Sequence, residues 1–149
     1  MSTKPTDPNV ISVSRVVPAS AEQIFDLLAD PRQHSLIDGS GSVKSAADSA
    51  PARLSLGAKF GMSMKIGAPY KVTNEVVEFD EPRQIAWRHY GGHIWRYILE
   101  PVDGGTEVTE QFDMRTSRAP WVLRLMRAAK RNERSMVATL ERLDAHFAK

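Results

Sequence analysis

The chain has 149 residues, 42% of them hydrophobic and 26% charged, with a net charge of +2 and a sequence pI near 9.0. That length suits one domain with a real core. The charge is too mild to point to nucleic acid, no apolar run approaches a membrane span, and the lack of cysteine excludes disulfides, thiol nucleophiles and thiolate metal sites.

Residues 1–9 are polar, contain Pro5 and Pro8, and have no apolar signal region. They read as a disordered tail of a cytoplasmic protein, leaving 10–149 as the folded domain. Val10 to Val17 is rich in β-branched residues and predicts a strand that Pro18 ends. Ser20-Ala21-Glu22-Gln23 is a capping-box pattern, and Ala21, Ile24, Phe25, Leu27 and Leu28 give the helix behind it an apolar face. Asp30-Pro31 starts a second, short helix to about Leu36. Asp38-Gly39-Ser40-Gly41 is a turn by composition, a weak strand follows near Val43, and Ala46 to Leu56 reads as a flexible loop.

Alternation returns at Phe60, Met62, Met64 and Ile66, which predicts a half-buried strand. Tyr70 to Asp80, Gln84 to Tyr90, His93 to Val102 and Thr106 to Arg115 predict four more strands, joined at Glu81-Pro82-Arg83, Gly91-Gly92 and Asp103-Gly104-Gly105. Connections this short cannot make parallel crossovers, so the sheet is an antiparallel meander. Pro120 to Lys149 predicts one long amphipathic helix. Its apolar stripe includes Val122, Leu125, Ala129, Met136, Leu140 and Leu143, and its opposite face includes Arg124, Arg127, Arg131 and Arg134. The stripe needs a concave apolar partner, which the sheet supplies. The fold class is therefore α+β: a curved antiparallel sheet gripping a long C-terminal helix, with two short helices after the first strand.

Several stretches, taken in order, carry a family likeness. They are Val13 to Ala19 running into the first helix, Ala29-Asp30-Pro31, Asp38 to Gly41, Ile85-Ala86-Trp87, Trp95 to Pro101, Gly104 to Thr109 and Thr139 to Leu143. Together they resemble the START-like or SRPBCC helix-grip superfamily, in particular its bacterial polyketide cyclase/dehydrase-like members. The resemblance implies a deep hydrophobic pocket between sheet and helix. It does not imply one activity, since members include lipid carriers, ligand sensors and cyclases.

A two-residue turn at Gly91-Gly92 pairs Arg88 with Trp95 and Ala86 with Tyr97, and a short turn at Asp103-Gly104 pairs Leu99 with Val108. The inner face then carries Trp95, Tyr97, Leu99, Val108, Glu110, Phe112 and Met114, while Trp87 lies outside opposite Arg96, in reach of a cation–π contact. Trp95, Tyr97, Met62 and Met64 suit a pocket for a flat apolar ligand, against the plainer alternative of core packing. Phe112 and Met136 complete its wall.

Two carboxylates interrupt apolar faces: Glu110 on the last strand, and Glu133 on the helix beside small Ala129. Both are expected to point inward, with Arg88 as the partner of Glu110. The four histidines show no metal-ligand spacing; His89 and His93 fall on opposite faces in this register, and a His34–Asp38 dyad competes with a local turn hydrogen bond. No nucleophile elbow or phosphate loop is present.

The expected function is binding of a small hydrophobic molecule, such as a lipid, polyketide or aromatic compound, with no metal and no cofactor. The alternative is a polyketide cyclase or dehydratase in which Arg88, Tyr97, Glu110 or Glu133 moves protons. A weaker third reading is an interaction protein that uses the basic helix face. Stable membrane insertion is not expected, because the helix would have to leave its sheet.

Overall fold

A computed structural model describes residues 9–39, 43–46, 50–118, 121 and 128–148. Strand β1 (Val10–Val17) leads into helix α1 (Ala21–Leu28), a 3₁₀ turn (Pro31–Gln33) and helix α2 (His34–Ile37). Strands β2 (Val43–Ala46), β3 (Lys59–Ile66), β4 (Ala68–Asp80), β5 (Gln84–His89), β6 (Ile94–Val102) and β7 (Gly105–Asp113) follow, and helix α3 (Ala128–Phe147) closes the order. All seven strands form one antiparallel sheet in the order β1-β7-β6-β5-β4-β3-β2.

The local signals act as expected at the start of the chain. Ser20 accepts a hydrogen bond from the Gln23 N–H, and the Gln23 side chain accepts one from the Ser20 N–H. Asp30 caps the 3₁₀ turn by accepting from the Arg32 N–H. The segment read as a flexible loop is instead pinned where it is described. Leu54 is buried and its N–H donates to the Ala29 carbonyl at 2.7 Å. Arg53 pairs with Asp26 and Glu81, and Arg32 donates to the Ala50 and Pro51 carbonyls. One buried leucine and a few backbone bonds suffice to order a stretch that composition makes look mobile.

The β6–β7 register matches expectation, with Leu99 opposite Val108 and Tyr97 opposite Glu110. At β5–β6 it is shifted by one residue: Trp87 pairs with Trp95, Ile85 with Tyr97, and Arg88 with Ile94. The cause is turn length. His89 N–H donates to the His93 carbonyl, so three residues, not two, make the turn, with Gly92 at φ 97°. A one-residue slip exchanges the faces of a strand. Trp87 therefore faces the interior, and Arg88 is exposed on the other side.

The expected Trp87–Arg96 contact is replaced by an ion network on the outer face. Arg96 donates to Glu78 at 2.6 and 2.8 Å, to Gln111 at 2.9 Å and to Asp113 at 3.2 Å. Arg115 binds the same Asp113.

Helix α3 lies along β1 and β7 with Met136, Leu140 and Leu143 buried beneath it. Helix α1 covers β5 and β6, and α2 bridges β2 to α3. The α2 end of that bridge is close. A Cβ on Gly39 would lie 2.4 Å from the Ser135 carbonyl oxygen and 2.5 Å from the Thr139 nitrogen, and the Gly39 N–H donates to Thr139 Oγ1 at 2.8 Å. Only glycine permits this approach. Gly39→Ala is accordingly expected to cost about 1–3 kcal/mol, as overpacking does. Chemical denaturation checks this, and an unchanged midpoint would mean that the two segments are not in contact in solution.

Candidate functional site

Between α1, α2, α3 and the concave face of the sheet lies a cavity of about 480 Å³, in the range of small-molecule sites. Its walls are aromatic and come in two groups. In the first, the His34 ring stacks on Trp87 at 4.8 Å and 19°, and Trp87 tilts against Tyr97 at 5.7 Å. In the second, Trp95 and Phe112 meet at 4.7 Å, and His93 packs edge-on against Phe112 at 5.1 Å. Met64 and Met136 add thioethers, and α3 presents Ser135 and Thr139. Exposed Lys65, Tyr70 and Arg131 mark the solvent side.

Of the residues singled out from sequence, Met64, Trp95, Tyr97, Glu110, Phe112 and Met136 line the cavity. Met62 does not; it is buried in the main core. Arg88 is exposed on the opposite face of β5, so it is not the partner of Glu110. Glu133 is exposed and also outside the lining. At 100° per residue, Ser135 and Thr139 form the cavity-side flank of the α3 stripe, whereas Glu133 falls on the other flank. The Ala129 side chain lies outside the described residues.

Sequence reasoning missed Trp87, His34, Asp38, His89 and His93, all of which line the cavity. Trp87 was lost to the register slip. The same slip separated His89 from His93, whose rings in fact stack at 4.3 Å and 12°. A Gly at the third turn position, rather than a pair of glycines read as the whole turn, was the available signal. Burial lowers the pKa of His89. For His93, burial and then the neighbouring His89 bring it down to about 4. His34 does not pair with Asp38. Its Nε2–H donates to the Leu28 carbonyl at 2.8 Å, and burial lowers its pKa. The Asp38 side chain accepts from the Val43 N–H at 2.8 Å. Among the described residues no group of three or more His, Cys, Asp or Glu is placed to hold a metal.

Among the described residues, Glu110 is the one carboxyl that is both deeply buried, at 4% exposure, and in the cavity wall. Its Oε1 is buried without a hydrogen-bond partner. Burial raises its pKa to about 8, the charge of Asp38 adds to the rise, and the Tyr97 hydroxyl opposes it. Tyr97 is itself pushed well above its usual value, by burial first and then by Glu110. The interior therefore holds a carboxylic acid, not a carboxylate, at neutral pH.

Because the folded pKa lies above the ordinary 4.5, the unfolded chain releases this proton first as pH rises. Stability is then lost from about pH 4.5 towards 8, and the loss is complete above 8. Glu110→Gln should remove a loss that at its steepest is about 1.4 kcal/mol per pH unit. Denaturation midpoints of both proteins across that window check it; parallel curves would mean an ordinary, solvated Glu110.

Comparison with known proteins agrees with this architecture. A family model described as "Polyketide cyclase / dehydrase and lipid transport" matches residues 9–148. The uncharacterized protein Rv0088 of Mycobacterium tuberculosis is 35% identical over 148 residues, covering 95% of this chain and 66% of that protein. The chain thus spans just under two thirds of that relative's length. Among solved structures, protein Ms6760 from Mycobacterium smegmatis superposes with a TM-score of 0.69 at 20% identity, covering 96% of this chain and 93% of that one. The Polyketide_cyc-like protein Cgl2372 from Corynebacterium glutamicum gives 0.58 at 17% identity, covering 97% and 92%. At such identities the two structures establish the helix-grip fold alone. With the family match over nearly the whole chain, this protein belongs to the polyketide cyclase/dehydrase and lipid transport family.

Proposed function

We propose that this protein binds a small, largely apolar molecule with an aromatic or similarly flat body, such as a polyketide, another aromatic compound or a lipid with a rigid ring system. The observation that carries the reading is the cavity of about 480 Å³ with Trp87, Trp95, Tyr97 and Phe112 in its wall. A packed core would have closed such a space, because a void forfeits dispersion contacts on every side. Aromatic rings offer a flat ligand large contact areas, and Met64 and Met136 can adjust to its outline. We place the protein in the cytoplasm. Among the described residues no helix is long and apolar enough to cross a membrane.

A second reading, cyclisation or dehydration of a poly-β-keto chain, is favoured by Glu110 specifically. A carboxyl that titrates at about 8 can give and take protons near neutral pH, as acid–base catalysis requires. Tyr97 stands beside it as a second proton-bearing group. The expected acid–base pair is thus Glu110 and Tyr97, since Arg88 and Glu133 are exposed and outside the cavity lining.

The uncharged fluorophore N-phenyl-1-naphthylamine tests the binding reading. It should bind one-to-one with enhanced emission, and Ser135→Trp, which places an indole in the cavity, should abolish the enhancement while the thermal midpoint moves little. No enhancement with the natural protein, or equal enhancement with the filled variant, would overturn the assignment.

A further inference from the structure

Resting on that reading, we infer that Glu110 is a specificity determinant: in its neutral form it donates a hydrogen bond to an acceptor oxygen, such as a ketone, on the buried end of a flat aromatic ligand. Three observations lead there. Glu110 is 4% exposed and is among the residues that line the aromatic cavity. Its Oε1 has no hydrogen-bond partner, and a buried polar atom left so is costly unless something fills the role. No cation faces it. Arg15, the arginine of β1, is engaged by Asp144 at 2.7 Å, and Arg88 is exposed on the opposite face.

The groups around Glu110 decide between donor and counter-ion. Tyr97 comes from β6, and Asp38 acts on it from the end of α2. Helix α3 offers Met136 and Thr139 to the cavity, and neither titrates. Its cross-strand neighbour on β1 is Val13. Burial and the Asp38 charge outweigh the hydrogen bond from the Tyr97 hydroxyl, and the Thr139 hydroxyl is spent on the Ser135 carbonyl, so the acid stays protonated and its hydrogen is the group on offer. The other lining charges, Lys65 and Arg131, are exposed on the solvent side. The buried end of the ligand is therefore read as neutral and oxygen-bearing, and its flanks as flat and apolar.

Matched tricyclic probes test this. 9-Fluorenone and fluorene have the same outline, and only the first carries a carbonyl. At about pH 7 the natural protein should prefer fluorenone roughly tenfold, the scale of one well-made buried hydrogen bond. The bound carbonyl stretch should move to lower wavenumber. At about pH 9.5, above the Glu110 titration at about 8, the preference and the infrared shift should both disappear. The three cavity histidines have lowered pKa values and Tyr97 a raised one, so Glu110 is the interior group that changes state in this window. Glu110→Gln keeps an N–H donor and should hold the preference at both pH values. Glu110→Met should bind fluorene and lose the preference at both.

Equal binding of the two probes at pH 7 would overturn the donor role and leave the aromatic cavity standing. Binding of neither would overturn both readings. A preference unchanged in Glu110→Met, or in the natural protein at pH 9.5, would also overturn it. So would tighter binding of 9-aminofluorene that Glu110→Gln weakens, which would make Glu110 a counter-ion for a cation. Should Glu110→Met fail to fold, the pH-independence of Glu110→Gln still decides.

Discussion

The placement of α3 on one half of the sheet is the constraint from which the interior follows. Met136, Leu140 and Leu143 are each at most 2% exposed, and full burial of such side chains contributes about 1.5–3 kcal/mol apiece. That contribution holds the helix along β1 and β7. The other half of the concave face, towards β3, is left to the short helices α1 and α2. Among the described residues, the eight of α1 and four of α2 leave part of it open. The remaining gap is the cavity, and Gly39 fixes its rim by letting the end of α2 touch the α3 backbone.

The two faces of the sheet handle charge in opposite ways. Outside, Arg96 is shared by Glu78 and Asp113, and Arg115 adds a second cation to Asp113. The hydrogen bond from Arg96 lowers the pKa of Glu78. At Asp113, burial pushes upward, but hydrogen bonds from Arg115 and Arg96 outweigh it. These carboxylates remain ionised. Inside, no cation among the described residues acts on Glu110, and desolvation wins. One strand, β7, thus carries an ionised Asp113 and a neutral Glu110 three residues apart on opposite faces. The difference is whether an arginine is within reach, which the alternation of side chains along a strand decides.

Much of the fold was legible in the sequence. The order of elements, the bounds of β1, the capping box at Ser20 and the β6–β7 pairing all follow from local chemistry that the tertiary structure did not override. Glu110 was also legible, because a carboxylate in a run of inward apolar positions stands out. What could not be read was geometry that depends on one residue of turn length. The hairpin between β5 and β6 has a three-residue turn closed by His89 and His93, and that single residue decided the faces of Trp87, Arg88 and His89. Glu133 failed for a related reason. A helical wheel gives angle but not which flank of the stripe meets the cavity. Leu54 shows the limit of composition: the segment around it is polar, yet one leucine in the core holds it.

Burial beside an aromatic wall keeps the Glu110 carboxylic acid neutral. Selective ¹³C labelling of glutamate, with the Glu110 carboxyl resonance assigned through Glu110→Gln, reads that state directly in a pH titration. A midpoint near 8, with the resonance in its protonated position at neutral pH, is the predicted result. A midpoint near the ordinary 4.5 would place Glu110 in water and contradict both its burial and its role as a hydrogen-bond donor.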